Sequence, residues 1–255
     1  MIEYKNIDIK VHDGVMQIGI NRTDKKNALT GDMYDAMRRT LSGADKNPDV
    51  KVVLLHGTSD IFCAGNDLQG FDRRDPNKPS PGLKFLYAIQ AFNKPIVAAV
   101  AGIAIGIGAT LLLHCDLVYA NENTRFRLAF VNLGVCPEAG TTLLLPANAG
   151  IKKASEVLML GDFFNTKKAV ELGMVNESIA NQNILDYAAE KAEQLAQKPH
   201  QALLLIKQLL KQNKQKAVVD CMTLESKFFG ELLLTEESID ARTKLKNRIQ
   251  KSKNS

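Results

Sequence analysis

Between Pro95 and Cys115 the chain carries no Asp, Glu, Lys or Arg. A run of that length either crosses a bilayer or is buried in a core. Pro95 opens it, and Gly102, Gly106 and Gly108 interrupt it. Such punctuation predicts a buried strand, a glycine turn and a buried helix rather than one membrane-spanning segment. Nothing else in the sequence looks adapted to lipid, so no membrane insertion is expected. An apolar element of this kind needs cover, and 255 residues are enough for one large domain, or a core with a small appendage.

The flanking patterns say what kind of core it is. Ile7, Ile9 and Val11 alternate, Asp13-Gly14 turns, and Met16, Ile18 and Ile20 alternate again, which predicts a β-hairpin. Thr30 suits the N-cap of a helix with Met33, Met37 and Leu41 on one side, ended by Asn47-Pro48. Val50 to His56 is apolar on consecutive positions, as in a strand buried on both faces. Gly57 to Gly82 reads as a long loop, Leu83 to Phe92 as helix, and Leu117 to Ala120 as strand. Ile151 to Leu160 is helical, and Thr166 is expected to cap a further helix ending at Gly173. After a short strand at Val175 to Ile179, everything from about residue 183 is helical, punctuated by Pro199 and Gly230. Alternating strands and helices before a helical end predict an α/β core, residues 1–195, and a helical C-terminal region, residues 196–255.

Charge and cysteines narrow the function classes. The net charge of +5 favours an anionic ligand but is too small to argue for nucleic acid. The most basic stretch, Arg242, Lys244, Lys246, Arg248, Lys251 and Lys253, reads as a solvated helix face, with a contribution to phosphate binding left open. Cys63, Cys115, Cys136 and Cys221 lack the spacing of a metal knuckle or redox dithiol, and His12, His56, His114 and His200 have no ligand spacing. No metal site is expected. Strand pattern begins almost at Met1 and the chain closes on Lys253-Asn254-Ser255, so neither a secretory leader nor a peroxisomal address is expected, and the cytoplasm is the default.

Gly-x-Ser-x-Gly and phosphate-loop motifs are absent, and Gly106-Ile107-Gly108 lacks the third glycine of a dinucleotide fingerprint. What remains is three loops rich in small residues, each after a predicted strand: residues 62–68, 102–109 and 132–140. Small residues let a ligand approach the backbone, and a glycine turn opening a helix presents unpaired N–H groups. One such amide from each of the first two loops would suit a developing oxyanion.

Phe62-Cys63-Ala64-Gly65-Asn66-Asp67-Leu68 resembles the first oxyanion motif of the crotonase (enoyl-CoA hydratase/isomerase) superfamily. Ala99 to Gly102 through Cys115 to Ala120 resembles its second, and Asn21-Arg22 with Lys26-Asn27-Ala28-Leu29 its N-terminal coenzyme A loop. Thr166 to Val175 is also similar to the family, and the likeness runs from the first strand to about residue 180. It implies a crotonase-like spiral of β-β-α units with a helical C-terminal trimerisation region, and homotrimers that often pair into hexamers. It also implies an acyl-CoA thioester substrate whose enolate-like anion is held by the backbone amides of Asn66 and Ile107. No separate cofactor is implied, since coenzyme A is part of the substrate.

The family's hydratases carry two glutamates where this chain has Thr110 and Phe130, which argues against hydration. Its isomerases use one carboxylate after a proline in the third loop, and Pro137-Glu138-Ala139-Gly140 matches. The resemblance therefore implies an enoyl-CoA isomerase with Glu138 as proton shuttle, its carboxyl made more basic by an apolar pocket from Phe62, Leu68, Phe130 and Leu133. Lys26 and Ala28 would flank the nucleotide. Ala64, Gly65, Asp67 and Leu68, with Gly106 and Gly108, would line the pantetheine and thioester. Another reaction of the superfamily (residual hydration, thioester hydrolysis, decarboxylation) or a non-catalytic acyl-CoA-binding module stays open.

Overall fold

A computed structural model describes residues 4–68, 79–180 and 183–251. Residues 69–78 of the expected long loop, and Lys253 of the basic tail, lie outside them.

The first strands, β1 (Ile7–His12) and β2 (Val15–Ile20), pair antiparallel through Asp13 and Gly14. Both turn residues have positive φ, 47° and 81°, which matches the twist of the flanking strands. Helix α1 (Gly31–Lys46) starts at Thr30, whose hydroxyl accepts from the Met33 N–H at 3.3 Å. Its end is closed from elsewhere in the chain. The buried Lys94 ammonium donates to the carbonyls of Ala44, Asn47 and Val50 at 2.6, 2.7 and 2.7 Å.

β3 (Val52–His56), β4 (Ile96–Val100), β6 (Leu117–Asn121) and β9 (Glu177–Ile179) extend the hairpin into one sheet of order β1-β2-β3-β4-β6-β9, parallel beyond β2. Both faces are covered, hence the unbroken apolar runs in β3 and β4. On one face lie α1 and α2 (Pro81–Ala91), where Met33, Met37, Leu41, Phe85 and Ile89 meet Ile18, Val53, Leu55 and Ile96. On the other lies α7 (Ile184–Ala196), presenting Ala188, Ala192 and Ala196 to Val52, Leu54, Val97 and Tyr119.

A second layer is built of very short pairings. β5 (Ile103–Ile105), β7 (Arg125–Arg127) and β8 (Phe163–Asn165) form a three-stranded sheet. Two isolated bridges, Cys63 with Ala104 and Leu29 with Asn66, continue it toward the N-terminus. Each excursion from the large sheet thus leaves a few residues in this layer before a helix returns the chain. That is the β-β-α spiral of the crotonase fold.

The remaining helices are α3 (Ile107–Thr110), continued as a 3-10 turn over Leu111–His114, α4 (Thr141–Ala149), α5 (Ile151–Leu160), α6 (Thr166–Glu171), α8 (His200–Leu232) and α9 (Glu236–Lys251). Three details differ from expectation. Thr166 is the first residue of α6, and the cap is Asn165, whose side chain accepts from the Lys168 N–H. Gly230 lies inside α8, and the break falls after Leu232. Arg242 is buried rather than solvated, donating to the Leu233 carbonyl and the Ser238 hydroxyl. The salt-bridged Lys207 ties α8 to the core, donating to the Lys94 carbonyl and Asp116 Oδ2, the latter at 2.7 Å. Among the described residues no helix is long and apolar enough to cross a membrane.

Candidate active site

The second layer brings three separate segments side by side. The Ala64 N–H donates to the Lys26 carbonyl at 3.0 Å, Leu29 N–H to Gly65 at 2.8 Å, and Asp67 N–H to Leu29 at 2.9 Å. The loop expected to carry the first oxyanion donor is therefore zipped to the expected coenzyme A loop. On its other edge, Phe62 and Cys63 N–H groups donate to Ala101 and Ile103, and Ile105 N–H donates back to Cys63.

The N-terminal loop is held by its own side chains. Asn27, fully buried, accepts from the Arg22 N–H and donates to the Ile61 and Phe62 carbonyls. Arg22 then bridges the Ala28 carbonyl at 2.9 Å and Asp67 Oδ2 at 2.7 Å. The Asp67 carboxylate thus fixes Arg22. Lys26 is exposed, with φ of 51°, and Ala28 and Leu68 are half-buried.

Two donors in these loops stand out. Among the described residues, neither the Asn66 nor the Ile107 N–H meets a backbone carbonyl outside its own helix or strand. Ile107 opens α3 directly after Gly106, whose φ of 55° makes the turn. The loops carrying these donors are in contact. A Cβ on Gly65 would come within 2.9 Å of the Ile105 carbonyl oxygen, and one on Gly108 within 2.6 Å of the Cys63 oxygen. Glycine at 65 and 108 is what allows the approach.

Glu138 lies in the third loop, directly before Ala139. One of its carboxylate oxygens is sealed from solvent. Its charge reaches Tyr34, buried on the inner side of α1. Burial pushes the Tyr34 phenol well above its ordinary range, and the charge of Glu138 and the Cys63 thiol push it further. The Tyr34 hydroxyl donates to Asn66 Oδ1. Tyr34 therefore bonds Asn66 and feels the charge of Glu138, with Phe85 packed on its ring at 5.8 Å between centroids.

At the two positions where hydratases of the family carry glutamate, Thr110 is fully buried on α3 and Phe130 is buried at the start of the 131–133 turn. Leu133 is half-buried, and its carbonyl accepts from the Ser238 hydroxyl of α9 at 2.8 Å. Phe62 is part of the core itself.

Tyr34, His114 and Glu225 join the site without a sequence signal that singled them out for it. Tyr34 could have been found, since it follows Met33 and stands one turn before Met37. His114 is buried, and its Nε2 lies 2.8 Å from the Ala139 carbonyl oxygen, beside Glu138. Burial lowers its pKa from 6.5 to about 4, the Ala139 bond opposes this, and Lys211 and Lys207 add to it. The neutral ring is the folded form. His114 stabilises the fold fully above pH 6.5, and that contribution drains as pH falls toward 4. At about 1.4 kcal/mol per unit, the loss should approach about 3 kcal/mol. Urea titrations at pH 7.5 and pH 4.5 on wild type and His114→Gln check this, and an equal pH dependence in both would refute it.

Comparison with known proteins fits this geometry. Residues 10–250 match the family model described as enoyl-CoA hydratase/isomerase. The chain is 33% identical to the 2,3-dehydroadipyl-CoA hydratase of Escherichia coli over 88% of each protein. It is 30% identical to enoyl-CoA delta isomerase 2 of Rattus norvegicus over 94% of this chain and 63% of that one. The solved structure of OdaA from Pseudomonas aeruginosa superposes with a TM-score of 0.91 at 36% identity, covering 94% of this chain and 98% of the other.

Proposed function

The chain belongs to the enoyl-CoA hydratase/isomerase family, and on that premise we propose that it moves the double bond of a 3-enoyl-CoA to the conjugated 2 position. The observation that carries this reading is the composition of the site. Glu138 is the carboxylate whose charge reaches Tyr34, which bonds Asn66, whereas the positions a hydratase needs hold buried Thr110 and Phe130.

Adding water across a double bond takes a group to activate the water and a group to protonate carbon. A threonine in a helix and a phenyl ring supply neither. Moving a double bond takes proton removal at C2 and proton return at C4, and one carboxylate lying over both carbons performs both. As the C2 proton leaves for Glu138, charge flows onto the thioester oxygen. The Asn66 and Ile107 N–H groups meet it there without having to reorganise. The same proton then returns to C4, and the carboxylate is regenerated. No electron leaves the substrate, so the step calls for no redox partner.

In this arrangement Lys26 and Ala28 flank the nucleotide end of coenzyme A. Ala64, Gly65, Asp67, Leu68, Gly106 and Gly108 follow the pantetheine to the thioester, and Phe130 and Leu133 face the acyl chain. A homotrimer, or a hexamer of two, would cover Leu205, Ile206, Leu209 and Leu210, which α8 leaves exposed. The cytoplasm is the proposed location.

The 33% identity to a 2,3-dehydroadipyl-CoA hydratase favours residual hydration as the second reading. A turnover screen separates the two, using 3-enoyl and 2-enoyl thioesters of several chain lengths. Isomerisation predicts appearance of the conjugated enoyl chromophore from 3-enoyl-CoA. Rapid hydration of crotonyl-CoA with no such conversion would overturn it, and thioester binding without turnover would point to a binding module.

A further inference from the structure

Glu225 is a buried acidic residue in the middle of α8, 5% exposed, and every oxygen of its carboxylate is engaged. Oε2 accepts from the Gly140 N–H at 2.6 Å. Oε1 accepts from the Thr142 N–H at 2.8 Å and the Thr142 hydroxyl at 2.6 Å. These are donors at the N-terminus of α4, where a carboxylate is favoured. The Glu225 backbone carbonyl also takes the Cys136 thiol at 3.5 Å. One residue of α8 therefore touches the loop on both sides of Glu138.

The loop needs such restraint. Ala139 has φ of 69°, a left-handed conformation that a residue with a Cβ adopts only when its surroundings impose it. Its carbonyl is held from below by His114. Gly140 follows with the same φ, packed so closely that an added Cβ would come within 3.3 Å of Met222 and Val218, one and two turns before Glu225 on α8. A serine or aspartate next to α4 could have capped that helix locally. The cap comes instead from a side chain 85 residues further on. A local cap would serve the helix alone, whereas this one also fixes the direction in which residue 138 leaves the chain.

We propose that Glu225 is a positioning residue that aims the Glu138 carboxylate by clamping Cys136, Gly140 and Thr142 to α8. The proposal rests on the reading of Glu138 as the proton shuttle, and the experiment keeps the two apart. Glu225→Ala and Glu225→Gln are made in wild type and in a Glu138→Gln background. Steady-state kinetics use the enoyl thioester that the wild type turns over fastest, and amide exchange is followed across residues 136–142.

Misplacing a catalytic group by about 1 Å costs on the order of 100-fold, so Glu225→Ala should lower kcat by roughly that factor with KM little changed. Glu225→Gln should fall between, because its amide oxygen satisfies one N–H while its NH2 confronts the other. It also keeps the proposal testable if the alanine variant folds poorly. In the Glu138→Gln background neither substitution should lower kcat further, because Glu225 acts through Glu138. Exchange at Gly140 and Thr142 should quicken in both backgrounds. An equal kcat loss in both backgrounds, or quickened exchange with wild-type kcat, would overturn the positioning role. Near-normal turnover of Glu138→Gln alone would instead overturn the proton-shuttle reading.

Discussion

Glu138→Gln is expected to lower conversion of 3-enoyl-CoA to 2-enoyl-CoA by roughly 10,000-fold, the upper end of what a single acid–base group contributes. The effect should be that large because, in the proposed mechanism, the same carboxylate serves both half-reactions. The glutamine amide neither accepts the C2 proton nor delivers one to C4, and the neighbouring carboxylates are engaged elsewhere, Asp67 by Arg22 and Glu225 by Gly140 and Thr142. KM should change little, since the contacts assigned to coenzyme A lie on residues 26–28 and 64–68. Two assays check this: appearance of the conjugated product, and exchange of the C2 hydrogen with solvent deuterium. Both should fail together. Persistence of C2 exchange in the variant would remove Glu138 from the first step and leave it at most the second.

Gly108→Ala carries the second largest expected effect. The added methyl would sit 2.6 Å from the Cys63 carbonyl oxygen and 2.8 Å from Cys63 Cβ, neither of which is the free end of a flexible chain. Either the start of α3 or the Cys63–Asn66 loop must move, and these carry the Ile107 and Asn66 N–H groups of the proposed oxyanion site. Loss of one oxyanion donor costs about 100- to 1,000-fold in kcat. Overpacking at such a contact costs about 1–3 kcal/mol of stability. Both numbers should be seen in one protein, by steady-state kinetics and by denaturant titration. A variant that is destabilised but turns over normally would show that the two loops do not jointly hold the thioester oxygen.

The parts of this molecule that can be read from the chain are those whose cause is local. Thr30 and the Met33, Met37, Leu41 stripe sit in one window, so α1 is visible at both its cap and its buried side. The Asp13-Gly14 turn declares the hairpin for the same reason. The family likeness reaches Asn66, Ile107 and Glu138 because the motifs around them are contiguous. The missed elements owe their existence to distant partners. β5, β7 and β8 are too short for any periodicity, and each forms only because a neighbour from elsewhere in the chain pairs with it. Helix α4 contains Pro146, which discourages a helix assignment, and its cap is Glu225. Thr166 and Asn165 are both capping types and adjoin, and it is Asn165 that caps the helix, one residue from the position the sequence pattern suggests. Glu225 itself sits in a mixed stretch of a long helix, between Leu224 and Ser226, where nothing local marks it, and only the assembled fold shows its partners.

The distance along the chain between the shuttle and its anchor bears on when a newly made molecule becomes competent. A ribosome adds about 5–20 residues per second, so the 85 residues separating Gly140 from Glu225 take roughly 4–17 s to synthesise. During that interval the strands up to β6 and the loops carrying Asn66 and Ile107 are already made, β9 is added only at Glu177–Ile179, and the 136–142 loop still lacks its tie to Glu225. A half-made chain could grip an acyl thioester but would hold its base loosely. On the proposed positioning role, full activity would be tied to completion of α8, and a chain ending before Glu225 would keep Glu138 but not the contacts that hold its loop.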